Sequence, residues 1–176
     1  MDPLDLYTRA SDWTLDQVSV AATDLDAPTP CAGWDVRTLM NHLLQTQAYF
    51  AGAAAGRDGT PPGQEPPALL TDDPTADFVR ARREVLQAFS GDGVVEKTGP
   101  LLAIAFADQL VHGWDLARAA GQGATMPPDL AEAAYEAIHG RFTDEQRAGT
   151  FGPELPVADD ASFQDRLLAY TGREPG

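Results

Sequence analysis

Apolar residues recur along this chain at steps of three and four, the spacing that places side chains on one face of an α-helix. Stretches rich in proline and glycine interrupt the pattern, and such stretches end helices. Six helices are predicted on this basis, in about the segments 4–24, 36–55, 73–91, 99–121, 127–138 and 163–171. No convincing β-strand is found between them, and 143–161 is expected to be mostly loop.

Residues that begin or end helices support these boundaries. Asp35 and Asp73 are good N-caps, because a carboxylate accepts hydrogen bonds from the free amides of the next turn. Pro74 suits the first helical position, and Gly121 suits the end of the fourth helix. The pattern as a whole predicts an all-α fold of one domain over residues 1–176, a four-helix bundle with additional short helices near its C-terminus.

Composition narrows the range of partners. The chain has 27 acidic against 12 basic residues, a formal net charge of -15. Such a surface repels phosphate backbones, so neither nucleic acid nor an anionic membrane is an expected partner. We find no signal peptide and no apolar run long enough to span a membrane, and we therefore expect a cytoplasmic protein. The single cysteine, Cys31, excludes an internal disulfide and a metal site built of cysteines alone.

The fourth predicted helix is apolar nearly all round and yet contains several polar residues. Asp108 and His112 are four positions apart, so on a helix they lie one turn apart on the same face. On the second helix, His42 lies in a polar column that borders the apolar stripe. If these two helices are neighbours, the three side chains can meet. Two imidazoles and a carboxylate are a ligand set for zinc and, with open positions, for non-haem iron.

An Asp–His pair without a metal is the simpler alternative, because D-x-x-x-H is short and occurs often by chance. Burying Asp108 without a cation or a hydrogen-bond donor would, however, raise its pKa or cost several kcal/mol, and this favours the metal. His139 is expected on the solvent side of the fifth helix. Cys31 is interpreted as a small apolar group under a loop rather than a nucleophile. Asp115 could orient a metal-bound histidine or pair with an arginine such as Arg118.

Three segments resemble the DinB-like metal-binding superfamily: TPCAGWDVRTLMNHLL (29–44), DQLVHGWDLARAAGQ (108–122) and FGPELPVADDASFQDRLLAYTGREP (151–175). Within it, the chain is similar to small proteins related to the N-terminal domain of mycothiol-dependent maleylpyruvate isomerase. The resemblance implies a bundle of up-down-down-up connection with a divalent metal held by three side chains. The family's two histidines fall on His42 and His112, and its glutamate falls on the shorter Asp108.

The resemblance also implies a function that depends on a metal and on a low-molecular-weight thiol such as mycothiol. The chain ends where the isomerase would continue into an α/β domain, so we expect a transferase or isomerase-like activity other than maleylpyruvate isomerisation. The expected partners are a small thiol and an electrophilic substrate, with Thr38 and Tyr49 lining the pocket. A non-catalytic metal-binding or stress-related module and a metal-dependent hydrolase are the alternatives, so the sequence leaves open whether this protein is an enzyme.

The metal is not determined by these ligand types. Zn²⁺ is favoured by two imidazoles and a carboxylate, but Ni²⁺, Fe²⁺ and Mn²⁺ accept the same set. The sequence also leaves open whether Asp108 would bind the metal directly or through a water molecule. Bundles of this kind often pair through helix faces, so a homodimer is a candidate assembly.

Overall fold

The structure, a computed structural model, describes residues 1–143 and 151–175 and is all-helical. The residues described form seven helices, which we number in chain order: α1 (Pro3–Ala21), α2 (Val36–Ala54), α3 (Pro74–Phe89), α4 (Val94–Thr98), α5 (Leu101–Ala119), α6 (Pro128–Ile138) and α7 (Phe163–Tyr170). Within the same residues, the one β-type pairing is an isolated bridge between Pro28 and Asp35. The predicted all-α class is therefore confirmed.

The predicted helix starts agree with the capping hydrogen bonds. Asp35 accepts from the backbone N–H of Thr38 at 2.8 Å, and Asp73 accepts from the N–H of Ala76 at 3.0 Å. Pro74 occupies the first turn of α3, where its missing amide costs nothing. The two acidic caps thus define where α2 and α3 begin, and α2 is one of the two helices that carry the candidate metal ligands.

The structure differs from the prediction in two places. α1 ends at Ala21 rather than near residue 24, because the next amides form tighter turns onto Val20 and Ala21. The short helix α4 was not expected; it has only five residues, between Gly93 and Gly99, both with positive φ. Of the predicted loop at 143–161, residues 144–150 lie outside the part of the chain that the structure describes.

α5 is the central helix, and 13 of its 19 residues are buried. It packs most extensively against α1 and also contacts α2, α4 and α6, whereas α3 packs mainly on α2 and α7 on α6. Because α5 is surrounded in this way, Gln109, His112 and Asp115 are buried and Asp108 is mostly buried, whereas Arg118, near the end of the helix, is exposed. The order in which the bundle helices run up and down stays a prediction.

One close contact holds α5 against α1. The Thr14 hydroxyl donates to the Gln109 carbonyl at 2.8 Å, and Gly113 lies so close to α1 that a Cβ there would be 2.7 Å from the Thr14 hydroxyl oxygen. With this face of α5 directed at α1, the adjacent face with Asp108 and His112 meets α2. None of the helices in the described segments is long and apolar enough to cross a membrane.

Candidate metal centre

α2 and α5 bring together the three side chains that the sequence predicted as metal ligands. His112 Nε2 is 3.5 Å from Asp108 Oδ1, and His42 Nε2 is 4.0 Å from the same oxygen. The two imidazole centroids are 5.0 Å apart, nearly edge to face. One ligand atom from each residue lies within 4.8 Å of the others. The separations are too long for good hydrogen bonds but suit atoms that share one ion.

The hydrogen bonding of this group is incomplete. Asp108 Oδ2 and His42 Nδ1 are buried and have no hydrogen-bond partner in the described structure. The three side chains are only 11–19% exposed, so water replaces few of the missing bonds. An unpartnered buried carboxylate oxygen is costly, and a cation is one way to remove that cost. The residues present therefore fit a divalent metal ion in number, donor type and proximity.

Burial and neighbouring charges shift the pKa values of the two histidines in opposite directions. Burial lowers the pKa of His42 to about 3, and the positive charges of His112 and Arg173 act in the same sense. Burial also acts to lower the pKa of His112, but the carboxylates of Asp108 and Asp115 outweigh it and raise the pKa to about 10. Burial raises the pKa of Asp108. A metal ligand must give up its proton, so without a metal His42 is ready to bind whereas His112 is not.

Asp115 contacts the ring nitrogen of His112 that faces away from Asp108. This carboxylate is completely buried, and its Oδ2 lies 2.9 Å from His112 Nδ1. Asp115 pairs with Arg173. The sequence suggested Arg118 instead, because it is only three positions away. Arg118 is exposed and lies over the Trp114 ring, 5.7 Å from its centroid. The ion pair with Arg173, despite the opposing effect of burial, lowers the pKa of Asp115 and keeps the carboxylate charged.

Cys31 packs against an apolar cluster, as the sequence suggested, but it also makes polar contacts. Its Sγ lies 3.1 Å from Asp115 Oδ2 and 3.3 Å from Arg173 Nη2. The loop before α2 brings it there through backbone hydrogen bonds, including Trp34 N–H to Cys31 carbonyl at 3.0 Å. A single cysteine in an aperiodic loop carries no spacing signal, and no sequence pattern would have placed it against α5.

Cys31, His112 and Asp115 form a second group with donor atoms within 4.8 Å of one another. Here, however, the Arg173 guanidinium lies 2.8 Å from the Asp115 carboxylate and supplies the positive charge. A metal cation at this position would be repelled by the guanidinium. His42, Asp108 and His112 have no such cation at hydrogen-bonding distance within the described residues, and are the better candidate site.

The remaining predicted residues are placed as follows. The Thr38 N–H donates to the N-cap residue Asp35, and Tyr49 packs edge-on against Phe50. Among the described residues, no hydrogen bond joins Thr38 or Tyr49 to the three candidate ligands, and their pocket role stays a prediction. His139 is exposed and stacks on Tyr135, with ring centroids 4.6 Å apart.

Trp34 packs against one of the candidate ligands. Its ring centroid is 4.9 Å from that of His42, and its indole N–H donates to the Gln64 carbonyl at 3.1 Å. The connection between α2 and α3 is therefore tied to a side chain that covers one face of a candidate ligand.

Comparison with known proteins determines the family. The family model for the mycothiol maleylpyruvate isomerase N-terminal domain matches residues 4–169 of this chain. The chain belongs to this family. Members of the mycothiol maleylpyruvate isomerase N-terminal domain family have a helical DinB-like fold, which agrees with the all-helical structure and confirms the resemblance seen in the sequence.

Two relatives cover nearly the whole chain. They are uncharacterized proteins of Mycobacterium tuberculosis, one from strain H37Rv and one from strain CDC 1551. Each is 30% identical to this chain over 190 residues, with 98% of both chains covered. No solved structure matches. The comparisons thus establish a mycothiol-related, DinB-like domain.

Proposed function

We propose that this protein binds one divalent metal ion through His42, Asp108 and His112 and acts as a thiol-dependent transferase or isomerase-like enzyme. The observation that carries the proposal is the convergence of three donor side chains around buried polar atoms that lack partners among the described residues. Zn²⁺ is the preferred ion for this donor set, although Ni²⁺, Fe²⁺ and Mn²⁺ accept it as well.

The proposed chemistry needs both an ion and a thiol. His42, Asp108 and His112 would hold the ion, and a bound divalent ion would lower the pKa of a thiol beside it, which favours the nucleophilic thiolate at neutral pH. The family's name associates it with mycothiol, which supports a low-molecular-weight thiol as the partner. The second substrate would be a small electrophile.

The chain's own residues would prepare this site. Asp108 contributes the negative charge that offsets the ion, and His42 is neutral before binding because burial holds its pKa at about 3. His112 presents Nε2 toward Asp108 while its Nδ1 is held by Asp115. The Trp34 ring packs against that of His42, with centroids 4.9 Å apart.

Metal analysis tests the first half of the proposal. Protein purified without a histidine tag should bind close to one equivalent of zinc, and His112→Ala should abolish uptake while His139→Ala does not. His139 is the matched control because it is an exposed histidine that stacks on Tyr135. Zinc uptake by His112→Ala equal to that of the native protein would reject the site.

Thiol consumption tests the second half. Metal-loaded protein should accelerate the loss of free thiol when mycothiol is mixed with a panel of small electrophiles, and His112→Ala should not. Metal binding without any turnover of thiol, ester or amide substrates would instead favour a non-catalytic metal-binding module, an alternative consistent with the low exposure of the three ligands.

A further inference from the structure

Asp115 is the point at which three distant parts of the chain meet. Its Oδ2 accepts from Arg173 Nη2 at 2.8 Å and from the Cys31 thiol at 3.1 Å, and lies 2.9 Å from His112 Nδ1. Its Oδ1 accepts from Arg173 Nε at 3.2 Å, so the guanidinium is bidentate. Bidentate arginine–carboxylate pairs fix orientation as well as charge. The carboxylate that holds His112 is therefore itself held by Arg173.

The chain reaches this position through a turn that only glycine can form. Gly172 has φ +79°, and a Cβ on it would lie 2.6 Å from the Cα of Gly152. The Gly172 N–H donates to the Ala169 carbonyl at 3.0 Å, and the Arg173 N–H donates to that of Leu168 at 2.8 Å. This closes α7 and reverses the chain.

The turn and a further bond fix the direction of the arginine side chain. Arg173 Nη1 donates to the Thr171 carbonyl at 2.8 Å, within the same turn. The guanidinium is only 11% exposed and points away from solvent toward α5. Four hydrogen bonds from its side chain to buried or partly buried acceptors leave it little freedom to move.

The consequence for His112 concerns its two ring nitrogens. Since Nδ1 faces Asp115, Nε2 is directed toward Asp108 and His42, where the metal is proposed. In metal sites, the partner of the second ring nitrogen fixes both the tautomer and the ring orientation of the ligand. Without Arg173, Asp115 would keep only its contacts with Cys31 and His112, and it would hold the ring in place less firmly.

We propose that Arg173 is a positioning residue for His112, acting through Asp115, so that the C-terminal turn of the chain sets the metal affinity of a site on α2 and α5. This inference rests on the proposed metal function. The alternative is that Arg173 and Asp115 form an ion pair that only stabilises the fold.

The affinity of the full chain for Co²⁺ distinguishes a role of Arg173 in positioning His112 from a role in stabilising the fold alone. Arg173→Met should weaken Co²⁺ binding by up to about tenfold to a hundredfold, the loss that follows removal of the hydrogen-bond partner of a metal-bound histidine. Arg173→Lys, which keeps the charge but cannot bond both carboxylate oxygens at once, should lose less. Arg118→Met is the matched control: Arg118 is exposed and lies over Trp114, so its removal should leave the affinity unchanged. Native affinity in a folded Arg173→Met protein would overturn the proposal.

A double variant addresses the risk that Arg173→Met fails to fold. Asp115→Leu with Arg173→Met replaces a buried ion pair by apolar side chains, an exchange that is often tolerated. It also removes the acceptor of His112 Nδ1. If Arg173 and Asp115 position His112, the melting temperature of the double variant should recover while its Co²⁺ affinity stays weak. A role in stability alone predicts that both recover, and that result would reject positioning.

Nuclear magnetic resonance of the metal-free protein keeps this inference distinguishable from the metal proposal. With ¹⁵N-labelled histidine, the His112 Nδ1–H bonded to Asp115 should give a downfield proton resonance that His112→Gln lacks. Arg173→Met should shift or broaden it, and Arg118→Met should not. If the native protein binds no metal, the proposed function fails, and the resonance still decides whether Arg173 positions the ring: no change in Arg173→Met contradicts it.

Discussion

His42 Nε2 lies 4.0 Å from Asp108 Oδ1, and the two residues reach this distance from different helices without forming a hydrogen bond. Both side chains are mostly buried, and each has a further polar atom without a hydrogen-bond partner in the part of the chain that the structure describes. Folding has thus placed a carboxylate beside an imidazole and left the pair incomplete, at an energetic cost that packing elsewhere must offset. A metal ion that bridges them would make this arrangement favourable.

Metal should therefore stabilise the fold. An ion that binds only the folded state adds about 2.7 kcal/mol to the free energy of unfolding at one hundred times its Kd. We expect zinc to raise the melting temperature measured by circular dichroism, and a chelator to reverse the change. His42→Ala should lose most of the zinc-dependent increase, whereas His139→Ala should keep it. An equal increase in His42→Ala would show that zinc acts elsewhere.

The candidate ligands could be predicted from the sequence because they follow helical geometry. Asp108 and His112 are one turn apart, and His42 lies in a polar column on a second helix, so periodicity alone places each on an inward face. The proximity of α2 and α5 is a tertiary contact, and it needed the structure.

Arg173 and Cys31 could not be predicted in this way. They are 58 and 84 positions from Asp115 and belong to a turn and a loop, where no period relates sequence to direction. The neighbour in sequence, Arg118, was the reasonable choice for Asp115, but it projects to solvent. Contacts made by aperiodic segments depend on how the helices pack, and sequence spacing does not contain that information.

Asp77 should give the protein an acid-sensitive contribution to stability. This buried carboxylate accepts from the Thr71 backbone N–H at 2.6 Å and from the Thr71 hydroxyl, and it pairs with Arg80. Burial acts to raise its pKa, but the Thr71 and Arg80 contacts together lower it below the ordinary 3.8. A lowered pKa contributes stability that is fully present above the unfolded value and is lost as the pH falls through the folded value.

Asp77→Asn should consequently cost about 2 kcal/mol in urea unfolding at neutral pH, as expected for a buried hydrogen-bonded charge. The difference from the native protein should shrink below about pH 4, the region in which free aspartate gains its proton. Asp72→Asn, at an exposed carboxylate nearby, is the control and should change little at either pH. A difference in unfolding free energy between Asp77→Asn and the native protein that is equally large in acid and at neutral pH would contradict this role of Asp77.

Asn41 should hold the connection between α2 and α3 in place. Its Oδ1 accepts from the backbone N–H groups of Leu69 and Leu70 at 2.7 and 2.9 Å, and the residue is buried. Asn41→Ala leaves both amides without this acceptor and should cost about 2 kcal/mol. Asn41→Asp keeps an acceptor and should lose less. Hydrogen exchange at Leu69 and Leu70 should accelerate in Asn41→Ala; unchanged protection at both amides would show that another group holds the segment.

The same substitution at two helical glycines should have opposite effects. A Cβ at Gly113 would lie 2.7 Å from both the Thr14 hydroxyl oxygen and the Trp13 ring, at the contact between α1 and α5. Overpacking of this kind costs about 1–3 kcal/mol, so Gly113→Ala should lower the free energy of unfolding. A Cβ at Gly52 would meet only the Arg57 side chain, at 3.7 Å. There the higher helix propensity of alanine should stabilise α2, by up to about 1 kcal/mol.

Gly113→Ala should also disturb the candidate metal site, because Gly113 follows His112 directly and a shift of α5 away from α1 moves the ligand pair relative to His42. We expect weaker zinc binding in Gly113→Ala and unchanged binding in Gly52→Ala, measured by competition with a coloured chelator. Since Gly52 lies on α2 more than two turns beyond His42, it tests whether any change in a ligand-bearing helix has this effect. Equal zinc affinities in both variants would mean that the α1–α5 contact does not position the site.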